Sequence, residues 1–574
     1  MRVLGIHDGH NASACLIEEG QIRLAMQEER LTNKKNQAGF PIESIKFLLS
    51  CSKLSHNEID FVALSSLHSS PMFAAENYFK KEKSNLQRQA EIIGMKTPLY
   101  SFYKLQRRQE RLKKIYSLGF SSSKVSLVEH HACHAATAYF GSHFSKNEKV
   151  LVLTNDGAGD GLCATVSIGH NNQLTRLASV NRDNSLAGVY CLVTKMLGFK
   201  PLEHEYKLMG MAPYCSAEGE QKGYALFKEL ISISKTDSFL FERNISQPIA
   251  MLMSRLQKAA KFQRFDYVCA GLQKFTEEIL VSWVQNCIKK TGIRKVALAG
   301  GIFMNVKANK RIMELPEVED LFIFPSCGDE TICFGAAYDV YNRNRAGLER
   351  PQIKPLQHFY LGDEFSDQQV KEQIEALQKS SSSSKLQFKF RWVKNIGKET
   401  ALLLAKKKVV ARCQGPMEFG ARALGNRSIL ADPSDLGCIR EINLMVKKRD
   451  FWMPFAPVIL KERSDDYIIN PKQILSPYMI LSFDTTARYS ELIAAVHQAD
   501  LTARPQIITP EMNQGYYSVL KEFEKITGRG ALLNTSFNLH GFPIVHGPKE
   551  ALEVFRDSGL KYLALGNYLL EKES

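Results

Sequence analysis

The stretch that decides the fold is RVLGIHDGHNASACLIEEGQIRLAMQ, residues 2–27. It contains three short apolar runs, at residues 2–6, 12–18 and 21–27, separated by turn residues that include glycine. The Glu19-Gly20 step between the second and third runs suits a tight hairpin. We therefore predict that the chain begins with three β-strands and that a polar turn separates the first two.

Strands and helices alternate after this opening. Strands are predicted at residues 149–154, 295–299 and 320–324. A long helix is predicted at residues 266–290, where apolar residues recur three and four apart. This alternation predicts an α/β domain over residues 1–350, and no internal repeat is visible in its sequence.

The composition changes after this first domain. Residues 351–395 contain RPQIKPLQ and a serine tract flanked by lysines, which predicts a linker. A second α/β domain is predicted over residues 396–574. Its expected elements are strands at 409–414 and 531–538 and a helix at 434–446.

The overall composition is that of a globular cytoplasmic protein. Of 574 residues, 44% are hydrophobic and 24% charged, and no stretch approaches the roughly 18 consecutive apolar residues of a membrane span. The N-terminus resembles a first strand and not a signal peptide. The twelve cysteines form no CxxC pair, which favours reduced thiols and argues against a zinc ribbon.

The net charge of +15 is concentrated in one segment. Residues 71–120 contain eleven basic side chains against four glutamates. Three interpretations stay open: a solvated helical face, a docking surface for an anionic acceptor or partner, and a nucleic-acid contact. Because no RNA- or DNA-binding motif accompanies the charge, we favour the first interpretation and argue against nucleic acid.

Four side chains suggest a metal site. His130 and His134 are four residues apart in VEHHACHAATAYF, so on a helix they would lie on one face. Asp156 in LTNDGAGDG and Asp329 in FPSCGDETICFGAA follow predicted strands, and ligands collect at the carboxyl ends of strands in α/β sheets. Two nitrogens and two oxygens suit a divalent transition metal such as iron(II) or zinc, and the pattern does not choose between them.

Glycine-rich turns suggest nucleotide contacts in the same domain. The segments GGIFMN, residues 300–305, and KLMGMAPY, residues 207–214, could bring backbone amides close to phosphates. Such turns are common in α/β folds. The candidate residues are Lys207, Gly210, Gly300, Gly301 and Asn305.

The last third contains a cluster of basic residues. MEFGARALGNRSILADP, residues 417–433, contains Glu418, Arg422 and Arg427, and guanidinium groups suit bidentate phosphate recognition. VKKRDFWMPFAP adds a K-x-R pair, which on an extended strand would face one side. Such a cluster is costly unless an anion joins it, so we predict an anion site. The candidate residues are Arg422, Lys447, Arg449, Arg504, Ser536 and Asn538.

The N-terminal strings resemble a known family. GIHDGHNASACLI, QEERLTNKKN, EHHACHA, TNDGAGDG, EYKLMGMAPY, GGIFMN and CGDE are similar to the N-terminal half of the NodU/CmcH/TobZ carbamoyltransferases. The resemblance implies an actin-like ATPase (ASKHA) domain with iron at His130, His134, Asp156 and Asp329. It also implies that His10 is the general base for the acceptor, a role that suits an imidazole. Lys35 matches a family lysine that could steady negative charge on the donor.

The resemblance continues in the C-terminal half. The K-x-R and S-x-N pairs resemble those of YrdC-type carbamate-binding domains. This implies that the second domain makes carbamoyl adenylate from carbamoyl phosphate and ATP, with Mg²⁺ accompanying ATP. The carbamoyl group would then pass to a small hydroxylated natural product or glycan. Relatives suggest a homodimer.

Three other functions match parts of this sequence. One is a tRNA threonylcarbamoyl-type modifying enzyme with the same two domains, which the positive charge favours. A hydrogenase-maturation carbamoyltransferase would carry CxxC zinc motifs, which this sequence lacks. An actin-like ATPase scaffold without enzymatic activity would leave the C-terminal basic cluster unexplained.

Overall fold

The computed structural model describes residues 1–68, 98–345, 351–381 and 388–573. The chain forms two compact units. Unit 1 comprises Met1–Glu28 and Asn36–Leu356, and unit 2 comprises Glu29–Lys35 and Gln357–Ser574. Most of the segment predicted as a linker, residues 351–395, is therefore part of unit 2, where it supplies a helix and a strand. The described residues contain no helix long and apolar enough to cross a membrane.

The first sheet of unit 1 is built from the opening of the chain. Its strand order is β3-β2-β1-β4-β5, with β1 antiparallel to β2 and parallel to β4. The hairpin between β2 and β3 turns at Glu19 and Gly20, whose φ angles of 47° and 75° are both positive, as a type I′ turn requires. The strands are β1 Arg2–His7, β2 Ser13–Glu18, β3 Gln21–Gln27, β4 Phe61–Ser65 and β5 Val125–Val128.

The second sheet of unit 1 repeats this topology. Its order is β12-β11-β6-β7-β8, so again three antiparallel strands are joined to two parallel ones. The sequence gives no sign of this repeat, because the repeat lies in strand pairing and not in residue identity. It is consistent with the expected actin-like fold. The strands are β6 Val150–Gly159, β7 Leu162–His170, β8 Gln173–Asn181, β11 Lys295–Ala299 and β12 Asp320–Ile323; a separate pair is β9 Ile231–Ile233 and β10 Phe241–Arg243.

Two helices of unit 1 pack closely against each other. A Cβ atom on Gly335 would lie 1.9 Å from the carbonyl oxygen of Cys133, so only glycine allows this approach. The two helices are His130–Gly141 and Ile332–Arg345. The other helices of the described part of unit 1 are Ile42–Ser52, Pro98–Ser117, Leu186–Met196, Glu205–Met211, Ala217–Tyr224, Met253–Ala259, Phe265–Thr291 and Val306–Met313; a short helix, Glu28–Thr32, begins in unit 1 and continues in unit 2.

Unit 2 is built on one mixed sheet of eight strands. Its order is β13-β22-β21-β14-β15-β20-β16-β19. Val410 and Leu430 belong to the apolar core on one face, and Ala411 and Ile429 to the core on the other, so both faces are covered. The strands are β13 Phe388–Trp392, β14 Val410–Cys413, β15 Arg427–Ala431, β16 Ala456–Leu460, β19 Gln506–Ile508, β20 Ala531–Ser536, β21 Tyr562–Leu565 and β22 Tyr568–Lys572, with a small separate pair β17 Ile468–Ile469 and β18 Asp484–Thr485.

Helices cover both faces of the unit 2 sheet. They are Asp367–Ser381, Ile396–Ala405, Gly437–Ile442, Ser464–Tyr467, Gln514–Thr527 and Pro548–Asp557. The segment Glu29–Lys35 also belongs to this unit. Within it, the buried Arg30 pairs with Glu29 at 2.7 Å and donates a hydrogen bond to the carbonyl oxygen of Gly420 at 2.6 Å. A stretch far from unit 2 in sequence is thus anchored to the segment that contains Arg422.

Candidate functional site

The structure brings the four predicted metal ligands of unit 1 together. Their ligand atoms all lie within 4.8 Å of one another. His130 Nε2 lies 3.2 Å from Asp156 Oδ2 and 3.5 Å from Asp329 Oδ1, and His134 Nε2 lies 3.5 Å from Asp329 Oδ1. The two histidines lie on the helix after β5, Asp156 in β6 and Asp329 after β12. Both sheets therefore contribute to one cluster.

The chemistry of this cluster fits a divalent cation. His134 Nε2 and Asp329 Oδ1 are buried and have no hydrogen-bond partner among the described residues, and a shared ion would satisfy both. Burial lowers the pKa of His130, but Asp329 and Asp156 outweigh this effect and raise that pKa to about 9. The two carboxylates therefore stabilise a positive charge at His130 Nε2.

Polar contacts at the start of the metal-ligand helix fix the positions of its histidines. Glu129 caps the helix by accepting hydrogen bonds from the backbone amides of His131 and Ala132. Asp160 accepts from the backbone amide of His130 at 2.9 Å and from that of Leu67 at 2.8 Å. A Cβ atom on Gly159 would overlap the His130 ring, so this glycine lets β6 approach the helix.

The turn after β1 contains the predicted base, His10. The carbonyl oxygen of His10 lies 2.9 Å from His7 Nε2, and His7 Nδ1 lies 2.9 Å from Ser65 Oγ. Because a carbonyl can only accept, His7 Nε2 carries the proton and donates it, while Nδ1 accepts from the serine. Burial lowers the pKa of His7 to about 4, so this ring stays neutral and holds the turn.

The predicted nucleotide-contacting residues of unit 1 fall in two places. Gly300 and Gly301 lie beside the metal cluster, where the Gly301 amide donates to Asp156 Oδ1 at 3.3 Å. Lys207 and Gly210 lie on the helix Glu205–Met211, where Lys207 Nζ is 5.2 Å from the centre of the Phe199 ring. A nucleotide contact at these four residues stays a prediction.

Asn305 is engaged in structural contacts. Its side chain caps the helix Val306–Met313 by accepting from the Ala308 amide, and it exchanges two 2.9 Å hydrogen bonds with Gln273. These bonds occupy both its oxygen and its nitrogen. The structure thus shows a capping role for Asn305, and its nucleotide contact stays a prediction.

In unit 2, the K-x-R and S-x-N pairs meet. Lys447 Nζ donates to Ser536 Oγ at 3.0 Å and to Asn538 Oδ1 at 2.6 Å, and Arg449 Nη2 donates to Thr535 Oγ1 at 3.0 Å. Lys447 and Arg449 do not lie on an extended strand, which the K-x-R spacing suggested. Lys447 ends a π-helical turn, Asn443–Lys447, and Lys448 is left-handed with φ 46°.

The basic side chains of unit 2 act on one another. Burial, Arg449 and Lys35 hold the pKa of Lys447 well below its ordinary value. Burial, Arg422 and Arg449 do the same to the pKa of Arg504. Neither Lys447 nor Arg504 forms an ion pair with a carboxylate in the described part of the chain. We call this cluster the cationic pocket, and its charge favours an anionic ligand. Its five members are Lys35, Arg422, Lys447, Arg449 and Arg504.

Two residues of the string MEFGARALGNRSIL stabilise the loop. The buried guanidinium of Arg427 donates to four backbone carbonyls, among them His546 O at 2.7 Å and Gly415 O at 3.0 Å. Glu418 Oε1 accepts from the backbone amides of Leu424 and Arg427. Of the three residues singled out in this string, Arg422 is therefore the one that joins the cationic pocket.

Three residues around the metal cluster were not predicted from the sequence. The placement of the segment that contains Lys35 in unit 2 was not predicted either. Arg111, Ser66 and Asp160 contact the first turn or the ligand His130 directly. Asp160 could have been predicted from the sequence, because it lies in the same glycine-rich loop as Asp156. Lys35 belongs to unit 2 whereas His10 belongs to unit 1, so the two predicted catalytic residues lie in different units.

Comparisons with known proteins cover nearly the whole chain. The family model for the carbamoyltransferase N-terminus matches residues 2–338, and that for the carbamoyltransferase C-terminus matches residues 401–572. An uncharacterized protein of Methanocaldococcus jannaschii is 31% identical over 574 residues, 99% of each chain. Nodulation protein NolNO of Sinorhizobium fredii is 30% identical over 569 residues, 98% of this chain and 79% of its own. Full-length HypF in the phosphate- and nucleotide-bound form has a TM-score of 0.37 at 14% identity, over 60% of this chain and 56% of its own.

Proposed function

This chain belongs to the carbamoyltransferase family, and we propose that it is an O-carbamoyltransferase that uses carbamoyl phosphate and ATP. It makes carbamoyl adenylate and passes the carbamoyl group to a hydroxyl of a small natural product or glycan. The observation that supports this proposal most is the cationic pocket of unit 2, in which the buried Lys447 and four half-buried cations gather, without an ion-paired carboxylate at Lys447 or Arg504 in the described part of the chain. Family membership confirms the resemblance seen in the sequence.

We assign donor activation to unit 2 as a YrdC-like domain. Water first hydrolyses carbamoyl phosphate to carbamate and inorganic phosphate. A carbamate oxygen then attacks the α-phosphorus of ATP, and pyrophosphate leaves. Arg422, Arg449 and Arg504 bind the phosphate oxygens, and Lys447 is held by Ser536 and Asn538 at the carbamate. Mg²⁺ accompanies ATP.

We assign carbamoyl transfer to unit 1. His10 accepts the proton of the acceptor hydroxyl as that oxygen attacks the carbamoyl carbon, and AMP leaves. His7 holds the His10 turn in place through its hydrogen bond to the backbone. An iron(II) or other divalent ion held by the four-residue cluster would supply Lewis acidity beside this turn.

The direct test follows labelled carbamoyl phosphate with the full chain. Pyrophosphate release should require ATP, Mg²⁺ and carbamoyl phosphate together. A panel of hydroxylated small molecules and glycans is then offered beside tRNA. We expect the label in a small hydroxylated acceptor; labelled tRNA would instead establish the tRNA-modifying alternative, and release without carbamoyl phosphate would refute donor activation.

We expect about one divalent metal ion per chain in protein purified without chelator. The reason is that four ligand atoms of suitable chemistry already lie within 4.8 Å of one another. Elemental analysis of the purified chain measures the stoichiometry, and the same analysis after dialysis against a chelator is the control. Full carbamoyl transfer by the chelator-treated, metal-free chain would contradict the four-ligand assignment.

Lys35→Met should impair donor activation. The positive charge of Lys35 helps to lower the pKa of Lys447, so both belong to the cationic pocket of unit 2. We therefore expect pyrophosphate release to fall roughly tenfold, in line with one lost charged contact. Lys34→Met, on the exposed neighbouring lysine, is the matched control. The full chain must be used, since a fragment of residues 396–574 would lack both Lys35 and β13. If pyrophosphate release were unchanged and carbamoyl transfer lost, Lys35 would act in the acceptor reaction and not in donor activation.

A further inference from the structure

We propose that Arg111 is a positioning residue that aims the metal ligand His130 through Ser66. This inference rests on the proposed metal site and concerns side chains that surround it. Arg111 lies on the helix Pro98–Ser117, within the basic segment 71–120, of which residues 71–97 lie outside the described part of the chain. Because Arg111 is buried, the interpretation of that segment as a solvated helical face does not apply to this residue.

Arg111 is buried, unlike the other described basic residues of its helix. Its side chain is 4% exposed, and that of its partner Asp8 is 8% exposed. Nε donates to Asp8 Oδ2 at 2.7 Å and Nη2 to Asp8 Oδ1 at 2.8 Å, which is a bidentate pair. Since Asp8 lies between His7 and the predicted base His10, Arg111 holds the turn after β1.

The same guanidinium holds the end of β4. Nη2 donates to the carbonyl oxygen of Ser65 at 2.6 Å, and Nη1 donates to that of Ser66 at 2.9 Å. One side chain therefore ties the β1 turn to Ser65, the last residue of β4, and to Ser66, which follows it. Only a planar fork with several donors can satisfy a carboxylate and two carbonyls together, and a lysine cannot replace it.

Ser66 is the link to the metal cluster. Its Oγ lies 3.1 Å from His130 Nδ1, the ring nitrogen that faces away from the cluster. Its φ angle of 67° is left-handed, which for serine persists only where the surroundings enforce it. The enforcing contacts are the Arg111 bond to its carbonyl and the bond from the next amide, Leu67, to Asp160.

The chemical consequence concerns the ring of His130. A histidine that binds a metal through Nε2 donates its Nδ1 proton to an outer partner, and that bond fixes the tautomer and the ring orientation. Ser66 Oγ is that partner, and Arg111 determines where it points. Loss of either side chain should therefore weaken metal binding although neither touches the metal.

The experiment compares the full-length variants Arg111→Lys, Ser66→Ala and the double variant. Cobalt(II) alone is the probe: its affinity is measured by competition with a chromogenic chelator, and its ligand-field spectrum reports the coordination. We expect each single variant to lose about tenfold or more in affinity and to change the spectrum. The double variant should lose no more than the weaker-binding single variant, because both changes break one linkage.

Controls separate positioning from folding. Arg108→Lys changes an exposed arginine of the same helix and should match the unaltered protein. Ser66→Ala leaves the Arg111–Asp8 pair intact, so it tests the linkage even if Arg111→Lys folds poorly. If the unaltered chain binds cobalt and both single variants bind it equally tightly with the same spectrum, the inference is overturned. If the unaltered chain binds no cobalt, the metal site of the proposed function fails first.

Discussion

Arg504→Ala is expected to abolish pyrophosphate release that depends on carbamoyl phosphate. Arg504 lies in the cationic pocket, where burial, Arg422 and Arg449 already hold its pKa well below the ordinary value. Three cations in this arrangement repel one another unless an anion lies among them. On the proposed function, Arg504→Ala removes N–H groups that bind the negative charge of carbamoyl phosphate and ATP, and a loss on the order of 10²- to 10³-fold is expected.

Two variants make this result specific. Arg504→Lys keeps the charge but loses the fork, and it should recover only part of the rate if the contact is bidentate. Arg488→Ala is the control, because Arg488 is a 43% exposed arginine of the same unit that pairs with Glu491. Pyrophosphate release is measured in each variant at saturating ATP. Full activity of Arg504→Ala would refute the assignment of the cationic pocket to the donor.

The first three strands of the first sheet and the hairpin between the second and third were predictable because their signals are local. Alternation of apolar runs and the Glu19-Gly20 step determine each strand and turn within a few residues. The α/β class predicted from them is confirmed. The repeated topology of the two sheets was not predictable, since it depends on which distant strands pair. The placement of Glu29–Lys35 in unit 2 is a long-range packing event of the same kind.

The candidate sites show the same division. The meeting of His130, His134, Asp156 and Asp329 follows from helix periodicity and from the position of strand ends, which a sequence displays. Arg111 could not be singled out, because a basic run does not reveal which one of its members is buried. The capping role of Asn305 was not anticipated, because a glycine turn before a helix needs an N-cap whether or not a nucleotide binds there.

His130→Ala should separate the two half-reactions. Its side chain contributes to the metal cluster of unit 1, whereas the cationic pocket belongs to unit 2. Without it the cluster retains three ligands, so metal binding should weaken, and carbamoyl transfer should fall by ~100-fold or more, the effect of losing about 3 kcal/mol of Lewis-acid stabilisation. Pyrophosphate release should stay at the level of the unaltered chain, because it needs only the donor pocket.

Metal content, pyrophosphate release and label in the acceptor are measured on the same preparation of His130→Ala. The control is His143→Ala. His143 lies two residues after the end of the helix His130–Gly141, is exposed and pairs with Asp320. Equal loss of release and transfer in His130→Ala would contradict the division of labour between the units. Such a loss would mean that the donor is not activated independently of the histidine-carboxylate cluster. Retained release with lost transfer and lost metal is the pattern that only two separate sites in one chain produce.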